Sequence, residues 1–414
     1  MNELPSVLDS ELLPIRDKVM GGEWLSEADG IVLSTTRDIH GVGRLANYAS
    51  ERLHGDVVFY NRNRHINYTN VCALSCKFCS FYRKRGESGA YEMSVDQVVA
   101  AAKAASDSGA TEVHVVGGLH PWLKFEYYTD MLSAIRRECP TLHIKAFTAI
   151  EIIHLARVAR LSIREVLIAL REAGLGSLPG GGAEIFDDRV HDEIFKGKVR
   201  EDKWFDVHRT AHELGIFTNA TMLYGHIETP AERVRHLIKL RELQAEALGS
   251  GRWGLDASEV SCAPSVPSSI PRPQTPDSRP LRTTACFNCL IPLSFIPDQS
   301  ELGYLPGPTG LTDLRTLAIT RLMVPNVANV KAFWIMQTLH LSQLSLHWGV
   351  NDLDGTVVWY DITKREGDVG TTHQEMHVSD IERTIRQVGR TPVERDTLYR
   401  PINRTPALRE AVGV

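Results

Sequence analysis

Two rhythms of apolar residues take turns along this chain. In MSVDQVVAAAKAASDSGATEVHVVGG, Val98, Ala101, Ala102 and Ala105 recur at helical spacing, and TEVHVVGG then runs as a buried strand. Ser94 and Gln97 are placed to form a capping box, and Gly109 to end the helix. The unit returns in SIREVLIALREAG, where Ser162 pairs with Glu165 and Gly174 stops the helix ahead of LGSLPGGG. It returns again in TPAERVRHLIKLRELQ, with Thr229 as cap, Pro230 at the first helical position and Glu232 closing the box. The strands predicted are HINYTN, EVHVVGG, LHIKAFT, LGSLPG, IFTNATMLYG, CLIPLSF, VKAFWIM and LSLHWGV. Strand alternating with helix about every 30 residues is the arithmetic of right-handed βαβ units in a parallel sheet. About eight such units predict an α/β fold, a (β/α)8 TIM-type barrel in preference to an open doubly wound sheet.

The flanks read differently. ELLPIRDKVMGG and VGRLANYASERLHG predict an N-terminal helical cap over residues 1–60, ahead of a barrel over 61–360. Residues 249–287 are dense in Pro, Ser and charge with neither period, and read as a flexible insertion after the fifth strand. A C-terminal extension, 361–414, carries SDIERTIRQVG, a helix that Ser379 and Glu382 are expected to cap.

Composition narrows the function classes. A chain of 414 residues with 43% hydrophobic and 23% charged residues can bury a deep core as a soluble protein. The net charge of −5 gives no electrostatic reason to expect nucleic acid or a membrane surface as partner. The start MNELPSVLDSELLP lacks a basic segment followed by an apolar one, and no apolar run is long enough to span a bilayer. Seven cysteines, an odd number in a large chain, fit a reduced cytoplasmic protein better than a disulfide scaffold.

Three of those cysteines, Cys72, Cys76 and Cys79, fall within NYTNVCALSCKFCSFYRKRG, just after the first predicted strand. A structural zinc site wants four protein ligands, and a histidine from elsewhere could be the fourth. An all-cysteine [4Fe–4S] site also wants four. Three thiolates leave one iron open, which is what S-adenosylmethionine must coordinate in radical chemistry. The spacing C-x3-C-x2-C, with aromatic Phe78 before the last cysteine, is specific for that superfamily; a zinc knuckle or buried free thiols is the bland alternative.

The chain resembles the radical S-adenosylmethionine enzymes of the futalosine menaquinone pathway and the related deazaflavin synthases, and among them most the aminofutalosine synthases. The resemblance rests on NRHINYTNVCALSCKFCSFYR, VVGGLHPWLKFEYY, IKAFTAIEI, SLPGGGAEIFDDRV, AHELGIFTNATMLYGHIET, IPLSFIP, NVKAFWIM and GVNDLDGT, from about residue 60 to about 400. It implies a [4Fe–4S] cluster on Cys72, Cys76 and Cys79, S-adenosylmethionine as co-substrate, and a low-potential electron donor such as flavodoxin or ferredoxin. The implied reaction adds the 5′-deoxyadenosyl radical to the vinyl ether of 3-[(1-carboxyvinyl)oxy]benzoate, an aromatic enolpyruvyl ether dicarboxylate. Aryl migration and loss of bicarbonate then give 6-amino-6-deoxyfutalosine. Two other readings stand beside it: a hydrogen-abstracting enzyme of the same group, and a non-catalytic metal-binding barrel.

Such a site needs close backbone approach to the cofactor, which Gly117, Gly118, Gly180, Gly181 and Gly182 at strand ends would permit. It also needs hydrogen-bonding or cationic partners for a dianion, for which His120, Thr148, Asn219, Thr221, His226 and Arg321 are candidates. Glu151 could not pair with a carboxylate while ionised, and is assigned to the S-adenosylmethionine side. Tyr68, Phe78 and Tyr82 could shield the cluster. CFNC (Cys286, Cys289) is a weak second metal candidate, and Cys139 and Cys262 read as incidental.

Overall fold

The computed structural model describes residues 5–195, 197–249, 285–357 and 375–404, so the expected insertion lies almost wholly outside the described residues. Three helices, Leu12–Gly21, Glu27–Thr35 and Ile39–His54, precede β1 (Val57–Asn61). After a single residue, Arg62, the chain resumes as β2 (Asn63–Asn67) and changes sheet. β2 opens a parallel sheet that continues through β3 (Glu112–Val116), β4 (His143–Ala146), β5 (Ser177–Leu178), β6 (Phe217–Tyr224), β7 (Phe287–Ser294) and β8 (Asn329–Val330). β1 sits in a second parallel sheet, between β9 (Asp352–Gly355) and β10 (Thr391–Glu394). Helices alternate with the strands of the large sheet and cover its outside. The N-terminal helices lie on that cover: Ile39–His54 packs on Gly310–Met323, and Glu27–Thr35 on Pro230–Leu248.

Local sequence explains most of these elements. The capping boxes expected at Ser94/Gln97, Ser162/Glu165 and Thr229/Glu232 are formed, and two more form at Ser26/Asp29 and Thr148/Glu151. The box expected at Ser379/Glu382 is not: that helix, Val378–Gln387, starts earlier at His377, and Glu382 instead accepts a bond from Tyr60 at 2.7 Å.

The eight-stranded barrel needs correcting to a seven-stranded parallel ladder of TIM type. LSLHWGV is not a strand; its first residues end the helix Leu339–Ser345, and Leu346 and Val350 are buried in the core. The position beside β8 is taken by β9, joined through a single bridge between Lys331 and Asp352. The far side of β9 reaches the β1–β2 junction, where Thr356 donates to the Asn61 carbonyl at 3.3 Å and Val357 to Asn63 Oδ1 at 2.8 Å. β9 reads Asp-Leu-Asp-Gly and carries no hydrophobic run to announce it.

Its acids are held inside by ion pairs. Arg395 Nε meets Asp352 at 2.6 Å, Lys331 Nζ meets Asp354 at 2.5 Å, and on the neighbouring strands Lys145 Nζ meets Glu112 at 2.9 Å. Burial opposes ionisation of Glu112, but Lys145, Arg395 and Lys331 outweigh it and hold that carboxyl well below its usual range. Three cations answer three anions, so this floor of the sheet carries no net charge with which to attract an anionic substrate.

Candidate active site

The cysteines lie on the segment that leaves the C-terminal end of β2, on the face where barrels of this type build their sites. The segment folds back on itself: Cys72 N–H donates to the Arg83 carbonyl at 3.1 Å, and Arg83 N–H to the Asn70 carbonyl at 2.9 Å. Lys84 then spends its ammonium on three successive carbonyls of the loop, those of Cys72 (3.0 Å), Ala73 (3.3 Å) and Leu74 (2.9 Å). A turn brings the last two cysteines together, Cys79 N–H to the Cys76 carbonyl at 3.0 Å.

Burial raises the Cys79 thiol, and hydrogen-bond donors reach two of the sulfurs. Cys72 Sγ accepts the Leu119 N–H at 3.4 Å, and Cys79 Sγ accepts those of Phe81 and Tyr82. Burial pushes the Cys76 thiol up to about 11, against the pull of Lys198. That lysine is buried, paired with Glu184, and stands 5.1 Å from the ring centre of Phe78, which meets Phe195 edge-on. The three thiols influence one another electrostatically. Among the described residues, no trio of His, Cys, Asp or Glu converges on the point a single ion would occupy. Backbone N–H groups aimed at sulfur and a buried ammonium form a donor set that fits an anionic iron–sulfur group held by Cys72, Cys76 and Cys79.

The glycines explain how the loop reaches its place. A Cβ on Gly118 would lie 2.4 Å from the Val71 carbonyl oxygen and 3.1 Å from Cys72 Cβ, and one on Gly117 would lie 2.8 Å from the Tyr68 ring. The end of β3 therefore presses directly on the cysteine loop, and only glycine allows it. Gly118→Ala should displace the first arm of the loop, costing about 1–3 kcal/mol and lowering iron content after reconstitution; thermal melts and iron assay check both. Gly180, Gly181 and Gly182 meet other protein atoms: the Ala220 backbone at 2.5 Å, Thr148 Cγ2 at 2.8 Å and Ile150 Cγ1 at 2.4 Å.

Most polar candidates are already committed to protein partners. His120 Nε2 faces Glu92 at 2.8 Å, and its Nδ1 accepts the N–H groups of Trp122 and Leu123, which leaves neither nitrogen for a substrate. His226 Nε2 donates to the Leu223 carbonyl at 3.1 Å and its Nδ1 accepts from Ile227 at 2.8 Å. Thr221 donates to the Gly180 carbonyl at 2.9 Å. Arg321, fully buried, gives its donors to Gly349, Ala328 and Asn351 outside the sheet.

Glu151 is buried with four donors on its carboxylate: Tyr68 (2.9 Å), the Gly117 N–H (3.0 Å), the Thr148 N–H (2.7 Å) and the Thr148 hydroxyl (2.8 Å). Burial still outweighs them and raises it to about 7. It is a hub that ties the ends of β2, β3 and β4 together. Tyr82 lies at the rim, its hydroxyl 3.4 Å from Glu301.

Asn219 is the exception. The Thr218 hydroxyl is hydrogen-bonded to His208 Nδ1 and His212 Nε2 of the covering helix Glu201–Glu213, so Asn219 faces the other way, into the sheet's concave side. It is buried, and its side chain makes no hydrogen bond among the described residues. Near the same inner face the rings of His65 and His114 meet at a tilt of 53° with centres 4.4 Å apart, and His114 Nε2 has no hydrogen-bond partner among the described residues.

Sequence reasoning passed over that pair, and also Lys198 and Glu184. A lysine in FKGKVR reads as solvated, and a histidine in a valine-rich strand reads as ordinary packing. Cys286 and Cys289 sit at the opposite end of β7 from the loop, and Cys139 ends the helix Phe125–Glu138; Cys262 lies outside the described residues.

The comparisons with known proteins agree with this geometry. The model of the Radical SAM superfamily matches residues 66–240, and that of the CofH/MqnC C-terminal region matches 285–407. The chain is 42% identical to the aminodeoxyfutalosine synthase of Thermus thermophilus, over 96% of this chain and 97% of that one. It is 38% identical to the enzyme of the same name from Streptomyces coelicolor, over 96% of each. With a 5-amino-6-(D-ribitylamino)uracil–L-tyrosine 4-hydroxyphenyl transferase of Methanopyrus kandleri it shares 35%, over 88% of this chain and 90% of that one. Among solved structures, methylornithine synthase superposes with a TM-score of 0.66 at 16% identity, covering 96% of this chain and 99% of that one, a likeness of fold. The chain belongs to the radical SAM superfamily and, within it, to the family that holds the aminodeoxyfutalosine synthases and these 4-hydroxyphenyl transferases.

Proposed function

We propose that this chain is an aminodeoxyfutalosine synthase of menaquinone biosynthesis. The observation that carries the reading is the end-to-end match at 42% identity, together with three cysteines whose sulfurs receive backbone N–H bonds. With Cys72, Cys76 and Cys79 as its ligands, a [4Fe–4S] cluster with S-adenosylmethionine supplies a 5′-deoxyadenosyl radical when bound. The chain's own residues do the rest. Burial raises the Cys76 and Cys79 thiols, and Lys198 and the N–H groups of Phe81 and Tyr82 oppose that rise. The Leu119 N–H donates to Cys72 Sγ, so these donors would stabilise the sulfurs as cluster ligands. Phe78 and Phe195 wall the loop on the Lys198 side. Glu151, engaged on both oxygens, holds the glycine turn that supports the loop. Asn219 and neutral His114, on the inner face, offer donors to the carboxylates of an aromatic enolpyruvyl ether; burial keeps His114 well below its usual pKa. A low-potential donor such as flavodoxin or ferredoxin supplies the electron, and the setting is cytoplasmic. No described helix is long and apolar enough to cross a membrane.

The test is product analysis under anaerobic conditions with reductant, S-adenosylmethionine and 3-[(1-carboxyvinyl)oxy]benzoate. An adenine-containing adduct and bicarbonate are expected in equal amounts. Free 5′-deoxyadenosine in place of the adduct would favour the second reading, hydrogen abstraction. Transfer to a ribitylaminouracil from tyrosine would place the chain with its 35% identical relatives.

A further inference from the structure

We propose that a cavity outside the sheet is a binding site for an apolar carboxylate, separate from the cysteine site. It lies between the helices Pro230–Leu248 and Gly310–Met323 and the segment joining Glu27–Thr35 to Ile39–His54, and has a volume of about 370 Å³, the size of a small-ligand pocket. Three arginines line it, Arg37, Arg233 and Arg315, and no carboxylate does. The rest of the lining is mainly apolar: Ile39, Met222, Val234, Leu237, Leu311 and Ile319.

The donors are only partly used. Arg315 gives its terminal nitrogens to the Ser34 and Thr36 carbonyls, which leaves Nε. Arg233 donates from one terminal nitrogen to Thr316 at 3.0 Å. Its Nε lies 3.4 Å from Glu228 without making a hydrogen bond, although it is buried. Glu228 is itself bonded to the N–H groups of Gly225 and His226. Arg37 makes no hydrogen bond or ion pair among the described residues. Arg315 and Arg233 repel each other, and that repulsion adds to burial in pulling Arg315 below its usual pKa.

Three guanidinium groups with one acid within ion-pair distance, Glu228 beside Arg233, leave an excess of positive charge that an anion relieves, and their planar forks match a carboxylate. Inorganic phosphate would leave the apolar wall dry and unfilled, so the anion that fits has a hydrocarbon body about the size of one ring. Such a ligand would bridge the N-terminal helices to the helical cover of the sheet.

Calorimetry with benzoate on the full chain tests this, with Arg37→Ala and Leu311→Glu as variants. Both side chains are exposed, Leu311 at 62%, so neither change should disturb folding. Benzoate should bind, and each variant should weaken the cavity component at least about tenfold while turnover without benzoate stays the same. Any component due to the catalytic site would survive both variants. Failure of benzoate to bind at millimolar concentration, binding unchanged in both variants, or equally good binding of phosphate overturns the assignment.

Discussion

Cys79→Ala should abolish turnover and leave the fold standing. No side chain of this protein can substitute for the radical source, so the loss should reach at least roughly four orders of magnitude. The fold should survive because the loop is held by bonds that bypass the sulfur. Lys84 binds three carbonyls, Cys72 and Arg83 pair through their backbones, and Lys77 N–H reaches the Ile194 carbonyl at 3.1 Å. Trading a half-buried thiol for a methyl should cost the apoprotein only about 1 kcal/mol. Iron per chain, the visible spectrum after anaerobic reconstitution, turnover and an apoprotein melt together decide it. Cys72→Ala and Cys76→Ala should behave alike, whereas Cys139→Ala should keep its iron. Full iron content in any of the three loop variants would remove the cluster assignment.

Acidification should unfold the protein well before its carboxylates titrate. His65, His208, His212 and His236 are all buried and neutral. Burial holds His65 at about 4 and both His212 and His236 at about 3, and it takes His208 well below its usual value. Their structural bonds use the neutral ring: His236 Nε2 donates to the Thr221 carbonyl while its Nδ1 accepts from Phe186. In the unfolded chain these rings bind protons near pH 6.5. The unfolded state therefore holds more protons below that pH, and stability falls as pH falls from about 6.5 toward 4. Each ring contributes about 1 kcal/mol over the first pH unit, so four contribute about 4 kcal/mol by pH 5.5. That is a large part of the roughly 5–15 kcal/mol that holds a typical domain together.

Glu151 works in the other direction. Its folded pKa of about 7 lies above the unfolded value, so it favours the folded state increasingly as pH drops from 7 toward 4.5. One acid offsets only about one of the four histidines. Thermal or urea unfolding of the apoprotein at pH 7.5, 6.5 and 5.5 should show a steep loss between the last two; a flat profile would mean that the rings are solvated or already charged.

Sequence alone was enough for whatever depends on neighbours along the chain. The cysteine spacing is a local pattern, and the capping boxes expected at Ser94, Ser162 and Thr229 need only a hydroxyl and a carboxyl or amide three residues apart. The alternation of helix and strand follows from apolar periods, so the parallel α/β architecture was legible. Tertiary structure decided what depends on atoms brought from far away. β9 was missed because its acids are neutralised by Arg395 and Lys331, which leaves the strand no hydrophobic signature. His120, His226 and Arg321 looked available in the sequence, and folding committed their nitrogens: His120 to Glu92 and two donating N–H groups, His226 to a carbonyl and a donating N–H, and Arg321 to two carbonyls and Asn351. Lys198 looked solvated, and folding buried it against Glu184 and the cysteine loop. A side chain's chemistry is written in its type, but whether that chemistry remains free depends on its hydrogen-bond partners, and those are chosen only when distant segments meet.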